Sequence, residues 1–170
     1  MPSLPLPDPP PAAGGIRLRP WREADLPAAL RGTHDPLVPR FTRVPENNTM
    51  ENLRAYFWAH SGDRENGEAL HLAIADAESD EFIGAISLLR FVWDEARCEV
   101  GYWLAPEGRG RGAATTAARL LSQWAMASLP IERVEIRTHP ENAASQRVAE
   151  RAGFTREGIV GDEIVFALQS

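Results

Sequence analysis

Three strand-like runs joined by only a few polar residues constrain this chain more than anything else in it. They are residues 69–77 (ALHLAIADA), 82–93 (FIGAISLLRFVW) and 98–104 (CEVGYWL), with ESDE and DEAR between them. Linkers this short leave no room for a crossover helix, so neighbouring runs are expected to return antiparallel, as a meander of hairpins. A doubly wound parallel sheet alternates strand and helix throughout, and the meander denies it.

The flanking segments extend the pattern. Residues 16–21 (IRLRPW) alternate like a strand, with Ile16 and Leu18 on one face. Residues 22–32 (READLPAALRG) read as a short helix in which Pro27 is tolerable only within the first turn. Residues 33–48 carry Pro36, Pro39 and Pro45 and read as loop. Thr49 suits the N-cap of a helix through MENLRAYFWAHS, with Leu53, Phe57 and His60 on one side. Beyond the meander the spacing predicts a long helix to about Leu129, stopped by Pro130, and a strand at RVEIRTH. A helix over 142–152 follows, closed by Gly153 as a left-handed C-terminal cap, and FTREGI and EIVFALQ end the chain as strands. The order predicts an α/β fold with a mixed sheet and helices on its faces, in a single domain over 16–170. The proline-dense start, residues 1–15 (MPSLPLPDPPPAAGG), is expected to be a disordered or polyproline-like tail.

Composition narrows the function classes. The 170 residues are 44% hydrophobic and 25% charged, ordinary for one globular domain with a sizeable core. All 18 basic residues are arginine, and the formal net charge of −6 argues against nucleic acid as a partner. No run approaches the ~18 apolar residues that a membrane span needs, and the start lacks the pattern of a signal peptide, so a cytoplasmic location is expected. Cys98 is the lone cysteine, and His34, His60, His71 and His139 show no metal spacing, so no metal site is expected.

The chemistry concentrates in residues 107–121 (EGRGRGAATTAARLL). A strand, a glycine-rich turn and a helix start collect unpaired amide N–H groups at the positive end of the helix dipole. Gly110 and Gly112 let a phosphate approach the backbone, and Arg109 and Arg111 supply charge that can meet it in bidentate fashion. An apolar stripe of Ala113, Ala117, Leu120 and Trp124 follows, which a disordered arginine-glycine tract would lack. A plain glycine-rich turn is the alternative. No GK[ST] ends the stretch, so it is not a P-loop, and the third glycine of a dinucleotide fingerprint is missing. A second helix start lies at residues 142–154 (NAASQRVAERAGF). Asn142 is a natural N-cap and Ser145, three residues on, shares its face; the pair either points into a site or serves only its own backbone.

Together these two stretches resemble the Gcn5-related N-acetyltransferase (GNAT) superfamily. RGRGAA matches the pattern of Arg or Gln, two residues, Gly, one residue, then Gly or Ala, through Arg109, Gly112 and Ala114. EVGYWLAPEGRGRGAATTA, HPENAASQRVAERAGFTREG and the early LRPWREADL are similar to the RimJ/RimL-type branch, which acetylates the N-termini of ribosomal proteins. Most of residues 16–169 is covered. The branch usually carries Glu where Thr116 stands, and it often has a longer hairpin between the last two strands than GFTREGIVGDEIVFAL provides.

The resemblance implies an acyl-CoA N-acyltransferase fold, with a mostly antiparallel splayed sheet and helices on both faces. It implies acetyl-CoA as co-substrate and an amine acceptor, and a homodimer is compatible with it. Amides of Arg109, Gly110, Arg111, Gly112, Ala113, Ala114 and Thr115 would hold the pyrophosphate. Trp103, Leu104 and Ala105 would pair with the pantetheine arm as an added strand does, and Asn142 would contact the arm or the nucleotide. Ser145 stands where related enzymes place a serine thought to protonate the leaving thiolate, and an N–H near Leu104 would stabilise the oxyanion. For the base, Glu99 shares a face with Gly101 and Trp103 by strand alternation. It reads either as that base or as a salt-bridged strand glutamate; Glu68, His71 and Asp94 are reserves. The acceptor is expected to be a protein or peptide N-terminal α-amine. A small-molecule amine (an amino acid, polyamine or aminoglycoside) and a non-catalytic acyl-CoA sensor are the alternatives.

Overall fold

The computed structural model describes residues 1–170 and contains one eight-stranded sheet. The strands are β1 (Ala12–Ala13), β2 (Ile16–Arg19), β3 (Leu70–Asp76), β4 (Phe82–Val92), β5 (Arg97–Leu104), β6 (Arg133–Thr138), β7 (Thr155–Val160) and β8 (Glu163–Gln169). Their order across the sheet is β1-β2-β3-β4-β5-β6-β8-β7. The helices are α1 (Leu26–Thr33), α2 (Leu37–Phe41), α3 (Met50–Glu65), α4 (Ala113–Ser128) and α5 (Ala143–Arg151). The meander forms as expected: β3, β4 and β5 pair antiparallel, Leu70↔Leu88 to Ile74↔Gly84 and Gly84↔Leu104 to Leu89↔Glu99, with register shifts at Ile74/Ala75 and Leu89/Val92.

Only β5 and β6 run parallel, and they pair over just Arg97↔Arg133, Cys98↔Val134 and Glu99↔Glu135. Beyond that point each keeps its other neighbour. β5 stays on β4 as far as Gly84↔Leu104, and β6 stays on β8 as far as Thr138↔Ile164. Two twisted half-sheets thus meet at one end and part at the other.

Alternation along the strands sends side chains to two cores. Leu72, Ile74, Ile86, Leu88, Cys98 and Val100 pack with Ala117, Ala118, Leu121 and Ala125 of α4. On the other face Ala73, Phe82 and Ala85 pack with Trp21, Leu26, Ala29 and Leu53, and Trp103 and Phe57 lie against them. The small side chains of α4 let that helix lie close to the sheet. Its buried stripe is turned slightly from the expected one, for Leu121 and Ala125 are buried while Leu120 and Trp124 are half-buried.

The helix caps follow their sequence signals. The Thr49 hydroxyl accepts from the Asn52 N–H at 3.2 Å. At the end of α5, Gly153 has φ +96°, the Phe154 N–H donates to the Ala149 carbonyl and the Gly153 N–H to that of Glu150, a Schellman closure. Pro27 sits in the first turn of α1, where no N–H is needed.

Two expectations are corrected. The proline-rich stretch taken for loop contains α2, because Pro36 and Pro39 fall at its N-cap and first turn, where their missing N–H groups cost nothing. Residues 1–15 lie along the domain and do not form a disordered tail. Leu4 is fully buried in the larger core, its N–H donates to the Arg64 carbonyl and its carbonyl accepts from Arg64 Nη1, both at 2.9 Å. β1 then pairs with β2. One buried leucine and a handful of main-chain bonds anchor a stretch whose composition reads as disordered. Leu4→Ala is expected to lower unfolding free energy by about 2 kcal/mol or more in urea denaturation; an unchanged midpoint would mean that the segment is not anchored.

Candidate functional site

Where β5 and β6 part, a cavity of about 970 Å³ opens, lined by residues of both half-sheets and by the starts of α4 and α5. Its β5 wall is an unpaired strand edge. The Ala105 N–H donates to the Ile83 carbonyl at 2.9 Å. Antiparallel alternation therefore turns the main-chain groups of Val100, Tyr102 and Leu104 to the open side. Those N–H and C=O groups can pair with an extended, amide-bearing chain.

The α4 start is built for left-handed backbone. Gly110 has φ +79° and Gly112, the N-cap, φ +72°, and a Cβ at either would meet nothing within 4 Å. The glycines serve the turn's conformation and leave open space outside it. No side chain caps the helix, and its first bond runs from the Thr116 N–H to the Gly112 carbonyl at 3.0 Å. The N–H groups of Ala113, Ala114 and Thr115 precede that bond and add to the positive end of the helix.

The arginines do not stand free beside this turn. Arg109 Nη2 donates to Asp35 Oδ1 at 3.1 Å and to the Leu104 carbonyl at 3.0 Å. Arg111 Nη2 donates to Asp76 Oδ2 at 2.8 Å and to the Gly15 carbonyl at 3.0 Å. Serine and main-chain donors at residues 78–79, with Arg111, hold the Asp76 carboxyl below its ordinary range; the Ser79 N–H contributes most. Both guanidinium groups thus tie the glycine turn to the rest of the domain.

Ser145 lies at the start of α5, and its Oγ is 2.8 Å from the Tyr102 hydroxyl. Burial pushes Tyr102 up to about 12, against a smaller opposing effect of the Ser145 bond, so the phenol stays neutral. Sequence reading missed Tyr102. The available signal was an aromatic hydroxyl in an apolar strand, which needs a polar partner when buried. Asn142 is engaged locally, its Oδ1 accepting from the Ser145 N–H at 3.1 Å as an N-cap.

Glu99 is a salt-bridged strand glutamate at the wall of the cavity. Its side chain is 13% exposed and meets Arg90 Nη1 at 2.9 Å. Burial pushes its carboxyl above the ordinary value, Arg90 and Arg137 pull it down, and Glu163 adds to the rise. Arg90 reaches it from an irregularity in β4 where its own φ is +51°.

The cavity thus gathers Glu99, Trp103, Leu104, Arg109, Ala114, Asn142 and Ser145. Gly110, Arg111, Gly112, Ala113 and Thr115 belong to the turn beside it and are not among its lining residues. Ala105 is buried, and its N–H and carbonyl are taken by Ile83 and Gly108, which makes it scaffold. Of the reserve bases, His71 lines the cavity, whereas Glu68 and Asp94 are exposed outside it. Cys98 is buried, and its thiol is pushed up to about 12 by that burial, which suits a core residue.

The Acetyltransferase (GNAT) domain family model matches residues 16–155. A Bacillus subtilis protein named as a probable N-acetyltransferase, YjcK, is 33% identical over 118 residues, 69% of this chain and 65% of that protein. The Escherichia coli ribosomal-protein-serine acetyltransferase is 35% identical over 81 residues, 48% of this chain and 45% of its own length. The spermidine N-acetyltransferase of Vibrio cholerae, solved with CoA and spermine, shares the fold with a TM-score of 0.77 at 17% identity, covering 92% of this chain and 96% of that one. The chain belongs to the GNAT acetyltransferase family. No helix is long and apolar enough to cross a membrane.

If Tyr102 supports the Ser145 hydroxyl, Tyr102→Phe will leave CoA affinity within about twofold and lower the transfer rate by ~10-fold, on the scale of general-acid contributions. Isothermal titration and a free-thiol assay read the two effects separately.

Proposed function

We propose that the protein transfers acetyl from acetyl-CoA to a primary amine by direct attack, and that the amine is the N-terminal α-amine of a protein or peptide. The parting of β5 from β6 beside two helix starts is the observation that carries the transfer. The open edge of β5 pairs with the amides of the pantetheine arm, and N–H groups from Gly110 to Thr115 take the pyrophosphate, while the Arg109 N–H is held by the Pro106 carbonyl. The Leu104 N–H faces the thioester carbonyl and stabilises its developing charge, a donor worth ~10²–10³ in rate. Glu99 takes a proton from the incoming ammonium. The Ser145 hydroxyl, backed by Tyr102, protonates the sulfur as the C–S bond breaks.

For the acceptor, the similarity to a ribosomal-protein-serine acetyltransferase supports a polypeptide terminus. The cavity is large enough for several residues of an extended chain. A small-molecule amine is favoured by one feature: only Gly161 and Asp162 join β7 to β8, so little of the hairpin is left to grip a polypeptide.

Free-thiol release with acetyl-CoA and a panel of N-terminal peptides, amino acids, polyamines and aminoglycosides decides between these readings. The expected result is release with peptides above all other amines. CoA binding without release would instead identify an acyl-CoA sensor. Gly112→Glu puts a bulky anion at the helix start and forces φ +72° on a residue with a side chain. It is expected to weaken CoA binding more than ~10-fold in calorimetry, and retained affinity would overturn the phosphate assignment.

The base is tested by pH. Glu99 works as the carboxylate, so the rate falls as pH drops through a value raised above the ordinary one. Glu99→Gln is expected to remove that acid limb and cost ~10²-fold in kcat/KM. Arg90→Ala removes a cation that pulls the carboxyl down, so the limb should move to higher pH.

A further inference from the structure

Behind the acceptor half of the cavity lies a polar chain that the transfer steps above leave unused. His71, Ser87 and Gly101 form one row across β3, β4 and β5. By alternation they share the sheet face of Ala73, Ala85 and Trp103. Gly101 carries no side chain, and Ser87, 7% exposed, lines the same cavity as His71 and Glu99. Ser87 Oγ lies 2.8 Å from His71 Nδ1, and the Tyr56 hydroxyl lies 3.0 Å from the same nitrogen. His71 Nε2 lies 3.1 Å from Asp63 Oδ2.

These partners assign the tautomer. A carboxylate only accepts, so Nε2 carries the hydrogen and donates to Asp63, and Nδ1 presents its lone pair to the two hydroxyls. The ring is held on its other side by His60, stacked at 4.5 Å between centroids. Burial lowers His71 from its ordinary value, with Asp63 pulling upward, and burial followed by His71 lowers His60 to about 3. Both imidazoles are neutral at neutral pH. The titratable groups facing His71 are Tyr56, His60 and Asp63 from α3, with the Ser87 hydroxyl from β4.

Acetylation strips two protons from the attacking nitrogen. The ammonium loses one to expose its lone pair, and the nitrogen, positive again once the C–N bond has formed, loses another. Glu99 takes the first and cannot take the second until it has unloaded.

On the acetyl-transfer reading of the cavity, we infer that the Ser87–His71–Asp63 chain takes the second proton and conducts it to solvent. Ser87 Oγ accepts the proton from nitrogen as its own hydrogen passes to His71 Nδ1. Asp63, whose side chain is 32% exposed, stabilises the resulting imidazolium, and once the product has left, water in the open cavity takes the proton back from Nδ1 through Ser87, which restores the resting tautomer. The C–S bond breaks, the sulfur takes the Ser145 hydrogen, and Ser145 is refilled from water. Glu99 and the relay each release one proton to water and Ser145 takes one back, so one proton ends on the thiol and one in solvent. Ser87 touches the reacting nitrogen; His71 and Asp63 act through it as positioning residues.

Wild type, Ser87→Ala, His71→Gln and Asp63→Asn are compared for kcat, KM and pH profile with acetyl-CoA and the fastest amine of the panel. Ser87→Ala and His71→Gln are each expected to lower kcat ~10–100-fold with KM for acetyl-CoA unchanged. Asp63→Asn removes the group that raises His71, so the His71 limb should move to lower pH. ¹⁵N NMR of labelled histidine in the wild type should show His71 neutral with Nδ1 bare, and the Nδ1 resonance should move in Ser87→Ala. Wild-type kcat in both Ser87→Ala and His71→Gln, a loss of thermal stability without a change in pH profile, or a protonated Nδ1 overturns the relay alone. A wild type that binds CoA and releases no thiol with any amine overturns the acetyl-transfer reading and the relay together.

Discussion

The parting of β5 from β6 is the constraint on which the rest of the structure depends. Three residue pairs join the two half-sheets, and each strand is then held by its far neighbour, β4 or β8. Hydrogen bonding is complete on those far sides, so opening the near side leaves backbone donors and acceptors of β5 exposed along one edge. In most folds such an edge invites aggregation. Here the starts of α4 and α5 flank it, and the cavity narrows what can reach it.

Around that edge the charged residues position more than they stabilise. The Arg109–Asp35 and Arg111–Asp76 pairs are each about a quarter to a third exposed, and pairs in that setting contribute roughly 0–1 kcal/mol. Their geometric effect is larger, because they tie a turn of two left-handed glycines to β3, to the α1–α2 junction and to the end of β5. Arg19 differs. Its guanidinium is nearly buried and meets both oxygens of Asp25 and the carboxylate of Asp80. Loss of Arg19 would strand the buried Asp25 carboxylate, which makes this cluster a lock on the N-terminal half of the sheet.

The fold was legible in the sequence where local rules act alone. The meander, the caps at Thr49, Asn142 and Gly153, and the helix behind the glycine turn follow from short linkers, side-chain oxygens and positive-φ glycines. Local rules misled where one distant contact outweighs composition. Leu4 anchors a segment that its prolines mark as disordered, and α2 forms because its prolines fall where a first turn tolerates them. The glycine turn was recognised correctly as the backbone feature, but the role of its arginines depended on Asp35 and Asp76, 74 and 35 residues away in sequence.

The sequence by itself determined the order of the elements from Ile16 onward, α2 excepted, and the family, because periodicity, capping and the RGRGAA and NAAS stretches are local properties of the chain. Tertiary structure decided which polar groups face one another. Tyr102 meets Ser145, Glu99 meets Arg90, and His71 meets Ser87 and Asp63, all across strands and helices that only register and packing bring together. Side-chain direction in a strand is fixed by alternation, yet the partner opposite is fixed by the neighbouring strand or helix. The pattern of one stretch therefore states what a residue can do, and only the assembled sheet states with whom.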